Sequence, residues 1–282
     1  MKALTVHAPA KINLFLHVVN KRRDGYHNIE TVFHTISLHD DIRFLPAKRV
    51  IFSSTGLPVP RGRDNLCVRT AELLREHRAV RKGVHIRLVK RIPPGAGLGG
   101  GSSDAAACLS GLNRFWRLGL PQRELMRLAS RLGSDVPFFI MGGSALGRGR
   151  GGILHPLKSR LRGWVVVAKP RFGISTALAY RKIDREKPPP VAPRAVRATI
   201  TAVRRGNLAG LGVFNSFESM AVRMHPKIGA FILALRREGA TQSFMTGSGS
   251  AVIGLFREKK KARQAARIIG HTMKVGIFFS SL

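Results

Sequence analysis

The segment Pro93-Pro94-Gly95-Ala96-Gly97-Leu98-Gly99-Gly100-Gly101-Ser102-Ser103 constrains this chain more than any other, because five of the seven residues from Gly95 to Gly101 are glycine. Glycine gives up more backbone freedom on ordering than any other residue, so such a run is useful only where the main chain must take left-handed conformations or approach something closely. It lies between a strand-like stretch, Val84 to Val89, and a small apolar helical stretch, Ala105 to Asn113. A glycine loop that opens a helix presents unpaired amides and the positive end of the helix dipole, which together favour a phosphate. Ser102 or Ser103 can cap that helix and also donate to a phosphate or hold magnesium. The plainer reading is a long flexible turn. No G-x-x-x-x-G-K-[ST] occurs anywhere, which excludes a Walker loop. Gly95, Gly97 and Gly100 do satisfy G-x-G-x-x-G. A dinucleotide unit, however, also needs an acidic residue about 20 positions later at a strand end, and Glu124 falls inside a helical pattern.

At 282 residues the chain exceeds one typical domain. Ile12, Leu14, Leu16 and Val18 alternate in the period of a half-buried strand, leaving Lys11 and Asn13 on its other face. Further strands are predicted at Thr31 to Ser37, Ile42 to Leu45, Trp164 to Ala168 and Ala251 to Phe256. Helices are predicted at Leu66 to His77, at Pro121 to Leu132, from near Pro137, near Ala195 to Val203 and at His225 to Glu238, with a proline-rich loop at Lys187 to Pro193. The layout is α+β. The stretch Gly142 to Gly152 holds six glycines in eleven residues and is the expected boundary between two domains, 1–150 and 151–282.

The two cysteines, Cys67 and Cys108, have no metal-ligand spacing and suit a reducing cytosol. The N-terminus lacks a signal-peptide core, and no apolar run reaches the roughly 18 residues of a membrane span. The charge is extreme: 49 Lys+Arg against 15 Asp+Glu give +34. That excess attracts polyanions. Its basic residues are nevertheless spread along the whole chain without aromatic interleaving, so no dedicated nucleic-acid partner is expected.

Phosphoryl transfer to an alcohol needs held phosphates, compensation of charge and an acceptor for the hydroxyl proton. Asp135, in Gly133-Ser134-Asp135-Val136-Pro137, is the candidate acceptor; it is equally well placed to be a helix N-cap. Lys11 would hold such a carboxylate ionised and stabilise a developing alkoxide, or it is a solvated strand lysine.

Several blocks together resemble the GHMP kinase superfamily over nearly the whole chain. They are Ala8-Pro9-Ala10-Lys11-Ile12-Asn13-Leu14, Arg23-Asp24-Gly25-Tyr26-His27, Ile29-Glu30-Thr31-Val32-Phe33, the glycine loop, Leu132-Gly133-Ser134-Asp135-Val136-Pro137-Phe138-Phe139 and Met245-Thr246-Gly247-Ser248-Gly249-Ser250. The Asp24-Gly25-Tyr26-His27 block narrows it to the members that act on a cytidine-diphosphate-linked methylerythritol. The resemblance implies a two-domain GHMP kinase-like fold, with an N-terminal ATP-binding domain, a C-terminal α/β sandwich and the active site in the cleft between them. It implies transfer of the ATP γ-phosphate, with magnesium, to the substrate 2-hydroxyl in the non-mevalonate route to isoprenoid precursors. Asp135 matches the family's base and Lys11 the lysine beside it. Pro93 to Ser103 match the ATP loop, and Asn13, Tyr26 and His27 the substrate site. Tyr180, which follows Gly173-Ile174-Ser175-Thr176, matches the second aromatic that sandwiches the cytosine. Stacking holds any pyrimidine, whereas hydrogen bonds to its edge, for which His27 is the candidate, select cytosine. The Gly247 to Ser250 turn matches the family's second glycine motif. One departure stands out: Asn215-Ser216-Phe217-Glu218 carries serine where relatives often have aspartate. The alternatives are another GHMP kinase, of homoserine or mevalonate type, or a basic nucleic-acid-binding protein on a kinase-like fold.

Overall fold

A computed structural model describes residues 2–186, 191 and 194–282. The chain forms two compact units that interleave along the sequence: 1–10, 39–94 and 99–142 in the first, 11–38, 95–98 and 143–282 in the second. The last crossing, at Gly142, falls in the glycine-rich stretch, but 11–38 and 95–98 join the second unit from well upstream of it.

Two long strands explain the interleaving. β1 (Leu4–Lys21) and β2 (His27–Ala47) each give one end to each unit. The separate strands predicted at Thr31 to Ser37 and Ile42 to Leu45 are one strand. The His39-Asp40-Asp41 sequence between them makes no turn, because Asp40 is fully buried and its Oδ1 accepts the amides of Arg91 and Ile92 at 2.6 and 2.8 Å.

In the first unit β3 (Val50–Gly56) pairs in parallel with β4 (Gly83–Lys90), which pairs antiparallel with the Asp41–Ala47 end of β2. Of the helices α1 (Leu66–Arg78), α2 (Gly100–Phe115), α3 (Gln122–Leu132) and α4 (Val136–Met141), α1 packs on β3 and α2 on Phe44 of β2, while α3 and α4 pack on the other helices. The apolar stripes read from the sequence are the buried ones: Val68, Ala71 and Leu74 on α1, Leu125, Leu128, Ala129 and Leu132 on α3. Asn65 caps α1 by accepting the Cys67 amide at 2.8 Å. Helix α2 begins five residues before the apolar stretch that signals it, since its first turn is made of the loop's own glycines and serines.

In the second unit the glycine-rich stretch is a hairpin, β5 (Ser144–Arg148) and β6 (Ile153–Leu157), with β5 also paired to Thr31–His34 of β2. The chain continues through β7 (Trp164–Lys169), α5 (Thr176–Glu186), α6 (Arg194–Arg205), β8 (Phe214–Asn215), α7 (Glu218–Met224), α8 (Lys227–Arg237), β9 (Gln242–Met245), β10 (Val252–Phe256), α9 (Lys259–Met273) and β11 (Gly276–Ser281). An antiparallel sheet of order β11-β7-β10-β9 carries α8 and α9, while the short β8 pairs in parallel with β1 at Phe15 and Leu16. Apart from Val191, the proline-rich loop expected at Lys187 to Pro193 lies outside the described residues. Among the described residues no helix is long and apolar enough to cross a membrane.

Gly111 on α2 packs directly against a core side chain, because a Cβ there would sit 2.4 Å from Cε2 of Phe44. Gly111→Ala gains about 1 kcal/mol of helix preference but overpacks the core at a cost of about 1–3 kcal/mol. Urea unfolding is expected to show a net loss; a stabilised variant would mean that the Phe44 ring has room to swing aside.

Candidate active site

Within the glycine loop, Gly95, Gly97 and Gly99 take left-handed φ values of 61°, 76° and 69°. Buried Ala96 and Leu98 alternate with them. Pro93 is buried, whereas Pro94 and Gly95 are exposed. Gly99 is the N-cap of α2 and has no side chain to offer, so the N-cap residue leaves the first-turn amides, contributed by Gly100, Gly101 and Ser102, without a side-chain cap. Ser103 does not act as the cap envisaged for it. It lies inside the helix, and its buried hydroxyl donates to the Pro9 carbonyl at 2.6 Å. Ser102 is half-buried.

The Gly95 to Leu98 segment is held against the second glycine turn. A Cβ on Gly97 would lie 2.2 Å from the Thr246 carbonyl oxygen, and one on Gly247 would lie 2.8 Å from the Gly97 Cα. Both positions have positive φ, so close approach and backbone conformation each demand glycine. The Ala251 amide donates to Ala96 at 3.4 Å and the Lys11 amide to Leu98 at 3.0 Å. Asn215 supports the turn from behind, its Nδ2 donating to the carbonyls of Met245 and Gly247 at 2.8 and 2.9 Å. Its neighbour Ser216 accepts the Val18 amide at Oγ, at 3.0 Å. Glu218 accepts the Met245 amide at 2.7 Å, and burial pushes its pKa up.

Lys11 and Asn13 share a face of β1, as their spacing requires, and both are buried rather than solvated. Lys11 Nζ donates to Asn13 Oδ1 at 2.7 Å and lies 5.4 Å from the Phe33 ring centroid. Asn13 donates from Nδ2 to Thr31 Oγ1 at 2.8 Å and from its amide to Thr246 Oγ1 at 2.9 Å. Burying an ammonium is costly unless acceptors surround it, so this network is consistent with a lysine held for a task.

His27 is buried, and its ring stacks on Tyr180 with centroids 4.6 Å apart and planes at 22°. Tyr180 in turn meets Phe217 edge-on at 5.0 Å. Tyr26 is the exposed aromatic of the pair, 52 % accessible, with the Arg150 guanidinium 3.4 Å from its ring centroid. Asp184, on α5, bonds His27 Nε2 and Lys21 Nζ, each at 2.6 Å. Asp184, Arg150, Thr31, Thr246 and Asn215 were not singled out for roles from sequence. Each works through a distant contact that no local spacing encodes.

Asp135 belongs to the first unit and sits half-buried at the N-cap position of α4, but its side chain makes no capping hydrogen bond. The local structural job that could have explained an aspartate there is therefore not what it does.

The first unit also buries an ionic triad at the two ends of the loop. Lys90, the last residue of β4, places Nζ 2.6 Å from Asp40 and 2.5 Å from Asp104 of α2, all three being almost inaccessible. Burial pushes Asp104 up to about 7 against the pull of the Lys90 ammonium, and the Asp40 carboxylate adds to the rise. Burial also opposes the Lys90 charge, but the two carboxylates outweigh it and raise its pKa.

Two family profiles match the chain: GHMP kinases N terminal domain at 65–143 and GHMP kinases C terminal at 199–275. It is 43% identical over 277 residues to 4-diphosphocytidyl-2-C-methyl-D-erythritol kinase of Moorella thermoacetica, covering 96% of both chains. It is 44% identical over 267 residues to the protein of that name from Pelotomaculum thermopropionicum, covering 93% of this chain and 92% of the relative. A crystal structure of 4-(cytidine 5'-diphospho)-2C-methyl-D-erythritol kinase superposes with a TM-score of 0.85 at 37% identity, covering 99% of this chain and 98% of that one.

Two outcomes are expected. Gly97→Ala should force the loop away from Thr246 and raise the Michaelis constant for ATP at least tenfold, measured by initial rates; an unchanged constant would disconnect the loop from ATP. A carboxylate whose pKa is raised on folding costs stability as pH climbs from its ordinary 3.8 towards about 7, because the unfolded chain releases its proton first. Asp104→Asn should therefore gain stability relative to the parent between pH 4 and 7, and parallel stability curves would remove Asp104 as the titrating group.

Proposed function

The chain belongs to the 4-diphosphocytidyl-2-C-methyl-D-erythritol kinases of the GHMP kinase family, and from that membership we propose how its own residues carry the reaction. It is an ATP-dependent small-molecule kinase. It transfers the γ-phosphate of ATP to the 2-hydroxyl of 4-diphosphocytidyl-2-C-methyl-D-erythritol, in the non-mevalonate route to isoprenoid precursors.

The observation that carries the site reading is the glycine loop. Left-handed glycines lead into a 16-residue helix whose N-cap glycine offers no side-chain cap to the first-turn amides. Such amides, with the helix dipole behind them, hold phosphate oxygens without a basic side chain. Pro93 to Ser103 form the ATP phosphate seat in this reading, through main-chain amides and the Ser102 hydroxyl. Asp135 accepts the proton of the substrate 2-hydroxyl as its oxygen bonds the γ-phosphorus and the bond to the ADP oxygen breaks. The Lys11 ammonium, fixed by Asn13, compensates the negative charge that develops on the attacking oxygen. Asn13 also helps to orient the acceptor alcohol.

Magnesium fits the oxygen donors available, since it takes few protein ligands and stays largely with the phosphates, where it would offset their charge; Ser102 is the residue proposed to face it. The cytosine stacks on Tyr26, whose ring is exposed. Tyr180 and His27 form the adjoining wall, and His27 reads the edge of the base. The reading places the reaction in the cytosol, in keeping with two free, buried cysteines, and calls for no nucleic-acid partner.

The test is magnesium-dependent ATP consumption by the purified protein with the cytidyl methylerythritol substrate, homoserine and mevalonate at one fixed salt concentration. Turnover with the first alone is expected, competed by CMP; turnover with another alcohol would discard the substrate assignment. Asp135→Ala should lower kcat by about 10²–10⁴-fold with ATP affinity retained. Wild-type turnover in that variant would remove Asp135 from the mechanism.

A further inference from the structure

We propose that Asp184 is a positioning residue that makes the enzyme select cytosine over uracil, by forcing the Nε2–H tautomer on His27 and so leaving Nδ1 to accept a hydrogen bond. The inference rests on the reading of His27 as the group that meets the base edge. What the structure adds is the device that sets its polarity.

Helix α5 clamps the imidazole twice with residues one turn apart. Tyr180 stacks on its face, and Asp184, four positions later, takes its Nε2 edge at 2.6 Å. The second oxygen of Asp184 accepts from Lys21 Nζ at 2.6 Å. Those two bonds, from Lys21 first and His27 second, hold the Asp184 carboxyl below its usual range. An ionised carboxylate only accepts, so Nε2 must carry the proton that the contact needs. In the neutral ring Nδ1 is then a bare acceptor. It meets no hydrogen-bonding partner among the described residues, although the ring itself is 92–94 % enclosed, with 8 % of the residue and 6 % of its side chain accessible. A bare acceptor suits the exocyclic amine of cytosine and repels the keto oxygen that uracil has in its place. One ring nitrogen thus distinguishes bases that stacking cannot.

Lys21 makes the arrangement testable, because it dictates how an amide would sit in place of the carboxylate. In Asp184→Asn the carbonyl oxygen must face the Lys21 ammonium, which has no lone pair to offer the NH2 group. The amide NH2 then faces His27 Nε2 and donates to it, so the imidazole proton moves to Nδ1 and the ring offers a donor where it had an acceptor. Asp184→Glu keeps an acceptor-only group and should retain the original tautomer.

The experiment pairs two readouts on the full-length enzyme. Imidazole 15N shifts of His27 should report Nε2–H in the parent and in Asp184→Glu, and Nδ1–H in Asp184→Asn. Inhibition constants for CMP and UMP should favour CMP in the parent by about tenfold, the scale of one buried hydrogen bond. That preference should vanish or invert in Asp184→Asn and return in Asp184→Glu. Equal weakening of both nucleotides in Asp184→Asn, with the tautomer unchanged, would mean that Asp184 only supports the fold, and would overturn the proposal. A switched tautomer with an unaltered CMP-to-UMP ratio would overturn it differently, by showing that His27 does not read the base at all.

Discussion

The contact between Gly97 and the Thr246-Gly247 backbone is the constraint around which the second unit's functional segments are arranged. Two main chains meet there with no room for a Cβ on either side. Once they are that close, the Thr246 hydroxyl reaches the Asn13 amide, Asn13 is oriented to receive Lys11, and the Leu98 carbonyl meets the Lys11 amide. Asn215 ties the same turn through its two carbonyl contacts. Segments 30 to 233 positions apart thus share one small polar network, and rigid support of this kind holds functional side chains to a narrow geometry.

In a chain with a net charge of +34, acidic residues are scarce, and several of the 15 are spent on holding basic side chains and a buried imidazole in place. Asp40 and Asp104 hold Lys90 beside the entry to and exit from the glycine loop, and Asp184 holds His27 together with Lys21. Breaking a buried pair of the first kind strands a charge in a dry interior, which costs far more than the intact pair contributes. A positive surface raises the local concentration of anions.

Much of the fold was legible because it rests on period and punctuation. The alternation Ile12, Leu14, Leu16, Val18 gave a strand, and the stripe Leu125, Leu128, Ala129, Leu132 gave a helix. The glycines of 142–152, expected as a domain boundary, include the turn of a hairpin, since Gly149 and Gly151 take positive φ while strands continue on both sides. Misreadings fell where a polar residue serves a distant partner. Asp40, which falls between the two strands predicted at Thr31 to Ser37 and Ile42 to Leu45, is a buried acceptor within one strand. Ser103 looked like a cap and bonds Pro9 instead.

The sequence by itself determined the family, the glycine loop and the identities of Lys11, Asn13, Tyr26, His27, Asp135 and Tyr180 as candidates, because short-range motifs and backbone demands are written in neighbouring residues. Only the tertiary structure decided that Lys11 is buried on Asn13 rather than solvated, that Asp135 does not spend its carboxylate on a helix cap, and that Asp184 grips His27. A hydrogen bond depends on separation and direction in space, and Asp184 stands 157 positions from the ring it holds, a distance over which local spacing carries no information.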